Sequence, residues 1–213
     1  GQLTMGGLCG GMVALYFYGQ EGAHIIPLML VAGVLGGVAW ASIVAFLRVR
    51  FNANEILTSL MLSYVAGLFL NLMMHGPLKD PEGFNFPESR QFSDSALLPI
   101  IFDGTRVHIG AVMALFVVAL GWVILSRTLL GYQIKVAGSA PAACHHAGFS
   151  NSKIIWTTLL MGGGMAGLAG IIEVAGPIGQ LLPNISPGYG FTAIIVAYVG
   201  RLHPLGALFA GLL

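Results

Sequence analysis

What most limits the folding of this chain is the placement of its few charges. Residues 3–18, 25–47, 56–75 and 108–126 contain no Asp, Glu, Lys or Arg, and residues 154–176 contain only Glu173. Each run approaches or reaches the ~20 residues that carry an α-helix through the hydrocarbon of a bilayer. Inside lipid every backbone N–H and C=O must find a partner within the protein, and a continuous apolar run meets that demand as a helix. The reading is therefore an all-α, polytopic transmembrane helical bundle with five crossings. A further apolar run, 189–200, lies between Pro187-Gly188 and Arg201. At ~1.5 Å per residue it is too short to cross, and a short, tilted or broken helix is expected there.

Composition closes off the alternatives. The chain is 56% hydrophobic and 8% charged, against roughly 25% charged for soluble domains, and its mean hydropathy is +0.86. A water-facing surface cannot be assembled from it. Nine Lys and Arg against eight Asp and Glu leave a formal charge of +1, too little to recruit nucleic acid. Cys9 and Cys144 stand far apart, without the spacing of a zinc site or a disulfide framework. No charged leader with a cleavage site precedes the first run, and the last run, 205–213, is shorter than a membrane is thick. Residues 1–213 are expected to be one transmembrane domain, cut short at both ends.

The connections carry the orientation. Arg48 and Arg50 share one short connection, and Arg127, Lys135 and Lys153 share another that has no acid; both belong in the cytoplasm. Residues 76–107 mix Lys79, Arg90 and Arg106 with Asp80, Glu82, Glu88, Asp94 and Asp103, and alternation places them outside. A connector of that length is either partly ordered, ready to receive a partner, or a solvated loop. Small residues four apart, at Gly6/Gly10, Gly7/Gly11, Gly33/Gly37, Gly163/Gly167 and Gly162/Ala166/Gly170, give flat helix faces that let backbones approach closely.

The inner connection 129–153 reads LLGYQIKVAGSAPAACHHAGFSNSK. Ser139 is suited to an N-cap, Pro141 to a first turn and Gly148 to the C′ position, with Ala142 and Ala143 favouring helix between them. About two turns of small-faced helix on the membrane surface follow, usable either as a plug for a partner's groove, with Tyr132 and the imidazoles adding contacts, or as an interfacial linker. Asn54 is expected to cap the third span, with Glu55 favouring its positive end. Ser59, Ser63 and Asn71 recur at spacings of four and eight on that span, a stripe able to hydrogen-bond a sugar or base, or a neighbouring helix. Glu173, beside Gly176-Pro177, falls near the outer edge of the bilayer, as part of a gate or docking ring or as a carboxylate reaching water. His145 and His146 are adjacent, about 100° apart on a helix, and no carboxylate accompanies them, so no metal site is expected. Neither a G-x-S-x-G elbow nor a G-x-x-x-x-G-K-[ST] phosphate loop occurs.

The inner connection, through Thr128, Gly131, Tyr132, Gly138, Ala142, Ala143 and Gly148, resembles the cytoplasmic coupling loop of ABC-importer permeases in the nucleoside and simple-sugar branch, a family related to the ribose and branched-chain amino-acid permeases. Residues 54–64, 76–81 and 188–191 through 200–206 resemble the same family. The resemblance implies a short cytoplasmic coupling helix in which Gly131, Tyr132, Gly138, Ala142, Ala143 and Gly148 meet an ABC ATPase subunit. It implies a substrate pathway, for which the polar residues Ser59, Ser63, Asn71 and Glu173 are the candidates in the runs, with Tyr189 and Phe191 from the matching stretch. It also implies a second permease subunit, an extracytoplasmic substrate-binding protein, and ATP and Mg held by the partner ATPase, with no cofactor and no enzymatic activity on this chain. Its place would be the bacterial cell (inner) membrane, as a multi-pass protein carrying nucleosides or simple sugars. The competing account is a self-sufficient secondary transporter or channel for a small polar solute. That account calls for a charge at the centre of a span, and none stands there in the five runs.

Overall fold

A computed structural model describes residues 1–20, 22, 24–81, 83, 86–101, 104, 107–140, 144 and 146–212. Among these the chain is helical, without a named strand: α1 (Gln2–Tyr16), α2 (Ile25–Phe51), α3 (Glu55–His75), α4 (Gly110–Arg127), α5 (Leu129–Ser139), α6 (Asn151–Glu173), α7 (Tyr189–Val199) and α8 (Pro204–Leu212). Four helical stretches are long and apolar enough to cross a membrane: α2, α3, α4 and α6 with its continuation to Ile178. A fifth is counted if α7 and α8, bent by 119°, are taken together. The first apolar run, one of the five expected crossings, is not among these four. It forms a helix of 15 residues, about 22 Å at ~1.5 Å per residue, because Gly19 at φ +80° and the bonds Tyr18 N–H to Leu15 O and Gln20 N–H to Phe17 O turn the chain.

The α2–α3 corner follows the sequence closely. Asn54 Oδ1 accepts from the N–H of Ile56 at 2.9 Å and of Leu57 at 3.4 Å, satisfying donors that the helix itself leaves open. Glu55 meets Arg48 at 3.2 Å, and Arg48 also donates to Ala53 O. Asn52, at φ +52°, closes α2.

The chain divides into two compact units, one of residues 1–110 and 159–187 and the other of 111–158 and 188–213. In the first, glycines set the spacing of α1, α2 and α6. A Cβ on Gly6 would strike the backbone of Gly167, one on Gly37 would lie 2.8 Å from Gly167 Cα, and one on Gly7 would lie 3.2 Å from Gly170 O. Close approach of this kind replaces hydrophobic exclusion as the source of helix association in lipid. Gly162 departs from its expected stripe, since a Cβ there would meet open space.

The larger buried side chains of this unit gather towards its outer end. Leu8, Ile25, Met29, Leu70, Met74, Ile171 and Val174 join Phe92 and Leu98 of the outer connection and Leu181 and Ile185 beyond α6. The outer connection is ordered along its described residues and is laced to the stretch after α6. Ser89 N–H donates to Leu181 O at 3.1 Å, Phe92 N–H to Gly179 O at 2.9 Å and Leu98 N–H to Ala175 O at 2.9 Å. The buried Ser89 Oγ accepts from Leu181 N–H at 2.8 Å, and Gln180 Nε2 donates to Glu88 at 3.2 Å.

In the second unit, Thr128 caps α5. Its hydroxyl accepts from Gly131 N–H at 3.2 Å and donates to Ile124 O at 2.6 Å, and a Cβ on Gly131 would lie 2.6 Å from Leu125 Cα. α4 and α5 therefore meet in a tight elbow. Only 6% of the α4 span window is buried, which suits a helix standing in lipid or against another subunit.

Candidate functional site

The polar stripe of α3 is half-buried, and each of its side chains is partly occupied by its own helix. Ser59 Oγ donates to Ile56 O at 3.0 Å, Ser63 Oγ to Ser59 O at 2.8 Å and Asn71 Nδ2 to Gly67 O at 3.1 Å. With the serine hydroxyl protons committed, what these groups offer a neighbour is chiefly acceptors, the hydroxyl lone pairs and the Asn71 Oδ1, beside the second N–H of Asn71. At about 100° per residue Ser59 and Ser63 differ by about 40°, and Asn71 stands about 80° further round, so the stripe winds across the helix. Ser63 Oγ also accepts from Gly1 N at 2.9 Å.

Trp40 of α2, which sequence reasoning passed over, stands at the same place. A Cβ on Gly1 would lie 2.7 Å from Trp40 Nε1 and 3.1 Å from Ser63 Cα. Among the described residues the buried Trp40 Nε1 has no hydrogen-bond partner. The available signal was position: Trp normally marks a membrane interface, whereas Trp40 lies well inside a span running from Ile25 to Phe51.

At the outer end of α6, half-buried Glu173 is the last residue before a π-turn, Val174–Ile178, which contains Pro177. π-turns widen the backbone spiral and recur at functional places. The ring of His108 wedges against this turn. A Cβ on Gly176 would lie 2.7 Å from His108 Nε2, and His108 Nδ1 accepts from Gly110 N–H at 3.1 Å. A cavity of about 440 Å³ is lined by Met12, Leu15, Tyr16, Tyr18, Lys79 and Arg90, among others. Arg90 bonds Asp80 at 3.2 Å and lies 5.6 Å above the Tyr18 ring. Ser59, Ser63, Asn71 and Glu173 all belong to the first unit, and Tyr189 and Phe191 to the second. Tyr189 and Phe191 open α7, exposed at 43% and 56%, behind Gly188 at φ +105°.

The inner connection holds more helix than the sequence suggests. Residues 129–139 form α5, and Ser139 ends that helix rather than capping the next. Thr128 supplies the cap that was not anticipated, and Leu130, Ile134 and Ala137 give α5 its helical period. The following turn begins at Ala140, whose carbonyl accepts from Cys144 N–H at 3.1 Å. Gly148, at φ +76°, closes it as expected: Phe149 N–H donates back to Cys144 O at 3.1 Å, the six-to-one bond of a glycine-terminated helix. Pro141, Ala142 and Ala143 lie outside the described residues. Tyr132 is 56% exposed, and a Cβ on Gly138 or Gly148 would meet nothing within 4 Å. Gly131, by contrast, is buried in the elbow. Among the described residues no group of three His, Cys, Asp or Glu side chains is placed to hold a metal.

No solved structure matches the chain. The chain is 37% identical over its whole length to the glucose ABC transporter permease protein TsgB13 of Haloferax volcanii. It is 30% identical over its whole length to the guanosine ABC transporter permease protein NupP of Bacillus subtilis, and 27% to the nucleoside ABC transporter permease protein NupB of Lactococcus lactis. It spans 58%, 62% and 61% of the lengths of those three proteins. The family model described as branched-chain amino acid transport system / permease component matches residues 1–213. With its multiple membrane-crossing helices, the chain belongs to this family of multi-pass permease components.

Proposed function

We propose that this chain is the membrane-spanning part of a permease subunit in an ATP-driven importer, and that it carries a nucleoside or a simple sugar by alternating access. The observation that carries the reading is the family match over all 213 residues, and the glucose, guanosine and nucleoside permeases among its relatives favour an oxygen-rich solute. The chain itself holds no cofactor; ATP and Mg sit on ABC ATPase subunits at the inner face. The protein lies in the bacterial cell (inner) membrane, pairs there with a second permease subunit, and receives solute from an extracytoplasmic substrate-binding protein.

The inner elbow is the seat of coupling. Exposed Tyr132, open Gly138 and the Gly148-closed turn set an aromatic ring beside positions without a side chain, in a stretch whose sequence also holds Ala142 and Ala143, and a groove on the ATPase can admit such a surface. Gly131 acts from beneath by keeping α4 and α5 in contact. On α3, the acceptors of Ser59, Ser63 and Asn71 suit the hydroxyl groups of ribose or a hexose. Glu173 is a pathway residue at the outer end of α6, and Tyr189 and Phe191 are pathway residues at the start of α7.

Affinity purification of the full-length protein, expressed with its genomic neighbours in mild detergent, tests this. An ABC ATPase should co-purify with wild type and be lost from Gly138→Trp and Ala142→Trp while both variants remain monodisperse. If no ATPase associates with wild type under any condition, the importer reading falls, and a self-sufficient transporter or channel takes its place.

A further inference from the structure

The break between α7 and α8 places a charge where none of the long spans has one. The two helices together are apolar and long enough for one crossing, yet their axes bend by 119°. They contain 11 and 9 residues, about 16 and 14 Å at ~1.5 Å per residue, each near half of the ~30 Å hydrocarbon core. Such a pair is a broken span or a re-entrant loop, and in either form its break falls within the hydrocarbon. The break is the turn from Gly200 to His203, and it carries Arg201.

That turn is tightly determined. Arg201 N–H donates to Tyr198 O at 3.0 Å, Leu202 N–H to Ala197 O at 2.8 Å, His203 N–H to Gly200 O at 3.1 Å and Ala207 N–H to His203 O at 2.8 Å. A Cβ on Gly200 would lie 2.6 Å from Gly206 C and 2.7 Å from Ala207 Cα, so only glycine permits the two helix ends to meet. Arg201 and Leu202 both take φ of +55°. Left-handed backbone costs a side-chain-bearing residue about 1–2 kcal/mol, and two in succession persist only where surrounding contacts impose them, a circumstance that clusters at functional sites.

Arg201 and His203 are exposed, as is the ring of Tyr198 at 71%. Among the described residues the Arg201 guanidinium has no carboxylate partner. An arginine does not shed its charge, and a charge at this depth must face water or a polar group. Broken helices at mid-membrane are where transported solutes are held.

We propose that the Arg201 turn is a solute-contact site within the membrane, where the guanidinium donates to hydroxyl or carbonyl oxygens of a sugar or nucleoside and the Tyr198 ring offers a face to the sugar ring or base. This rests on the importer reading given above.

The test uses the full-length protein assembled with its partner subunits in membrane vesicles. Arg201→Gln should raise the KM for uptake of labelled guanosine or glucose about tenfold or more, the loss expected for one charge-assisted hydrogen bond, with Arg201→Lys in between. With every native cysteine of the full-length protein replaced, Cys9 and Cys144 among them, Arg201→Cys should react with a membrane-impermeant methanethiosulfonate, and the transported solute should slow that reaction. The thiol reading does not depend on Arg201→Gln being well expressed. An unreactive Arg201→Cys, a reaction that solute does not slow, or an unchanged KM in Arg201→Gln each overturns the proposal. Failure of wild type to take up either solute is a separate outcome, which removes the importer reading and this inference with it.

Discussion

Ser89 and Leu181 are bonded in both directions: the Ser89 N–H donates to the Leu181 carbonyl at 3.1 Å, and the Leu181 N–H donates to the Ser89 hydroxyl oxygen at 2.8 Å. Ser89 is 3% exposed, so water cannot replace the hydroxyl if it is removed. Ser89→Ala should therefore cost about 1–3 kcal/mol, the penalty of a buried unpaired amide. Thermal unfolding of the detergent-solubilised full-length protein would register it as a lowered midpoint, and Ser89→Thr, which keeps the oxygen, should be milder.

Helix spacing in the first unit gives a paired prediction. A Cβ on Gly167 would strike the Gly33 carbonyl, whereas one on Gly162 would meet nothing within 4 Å. Gly167→Ala is expected to lose about 1–3 kcal/mol to overpacking. Gly162→Ala, five residues earlier on the same helix, is expected to be neutral or to gain up to about 1 kcal/mol from helix propensity. Comparing the monodisperse fraction after a heat step distinguishes the two; equal losses would mean that the packing surface has been misplaced.

At the α2–α3 corner, Asn54→Ala removes the acceptor of the Ile56 and Leu57 amides and should destabilise by about 1 kcal/mol, with Asn54→Ser close to wild type. Glu55→Gln should matter less. The Arg48–Glu55 pair has side chains 33% and 45% exposed, and exposed ion pairs contribute about 0–1 kcal/mol. Melting curves of the three variants in one detergent would order them.

Gly148 holds φ +76° with open space around it, so its substitution tests backbone conformation free of crowding. Gly148→Ala should weaken the Cys144–Gly148 turn by about 1–2 kcal/mol, and Gly148→Asn by less. If that turn seats an ATPase, the loss should appear as reduced ATPase recovery in co-purification, with the thermal midpoint of the permease little changed.

The long helices were legible because a membrane makes their sequence requirement simple: runs free of charge, with positive residues between them on one side. Asn54 and Gly148 were legible for a related reason, since caps are local and their chemistry sits within four residues of the helix end. α5 was hidden because Gly131 and Gly138 look like loop residues. Only the structure shows that Gly131 is glycine to let α4 and α5 touch, while Thr128 does the capping. The lacing of 89–98 to 175–181 joins segments some ninety residues apart through backbone groups, which leave no trace in residue identity. The Arg201 turn escaped for another reason. Period and hydropathy report that 189–200 is too short to cross, but not that the chain bends by 119° after it.

The outer lacing has a consequence for how this end of the protein can open. The amides of Ser89, Phe92, Leu98 and Leu181 all close the same seam, over a core that includes Phe92, Leu98, Leu181 and Ile185. Parting one bond exposes its neighbours without freeing the segment, so the seam is expected to resist peeling and to open as a unit. Those four amides should then exchange their hydrogens at a common rate.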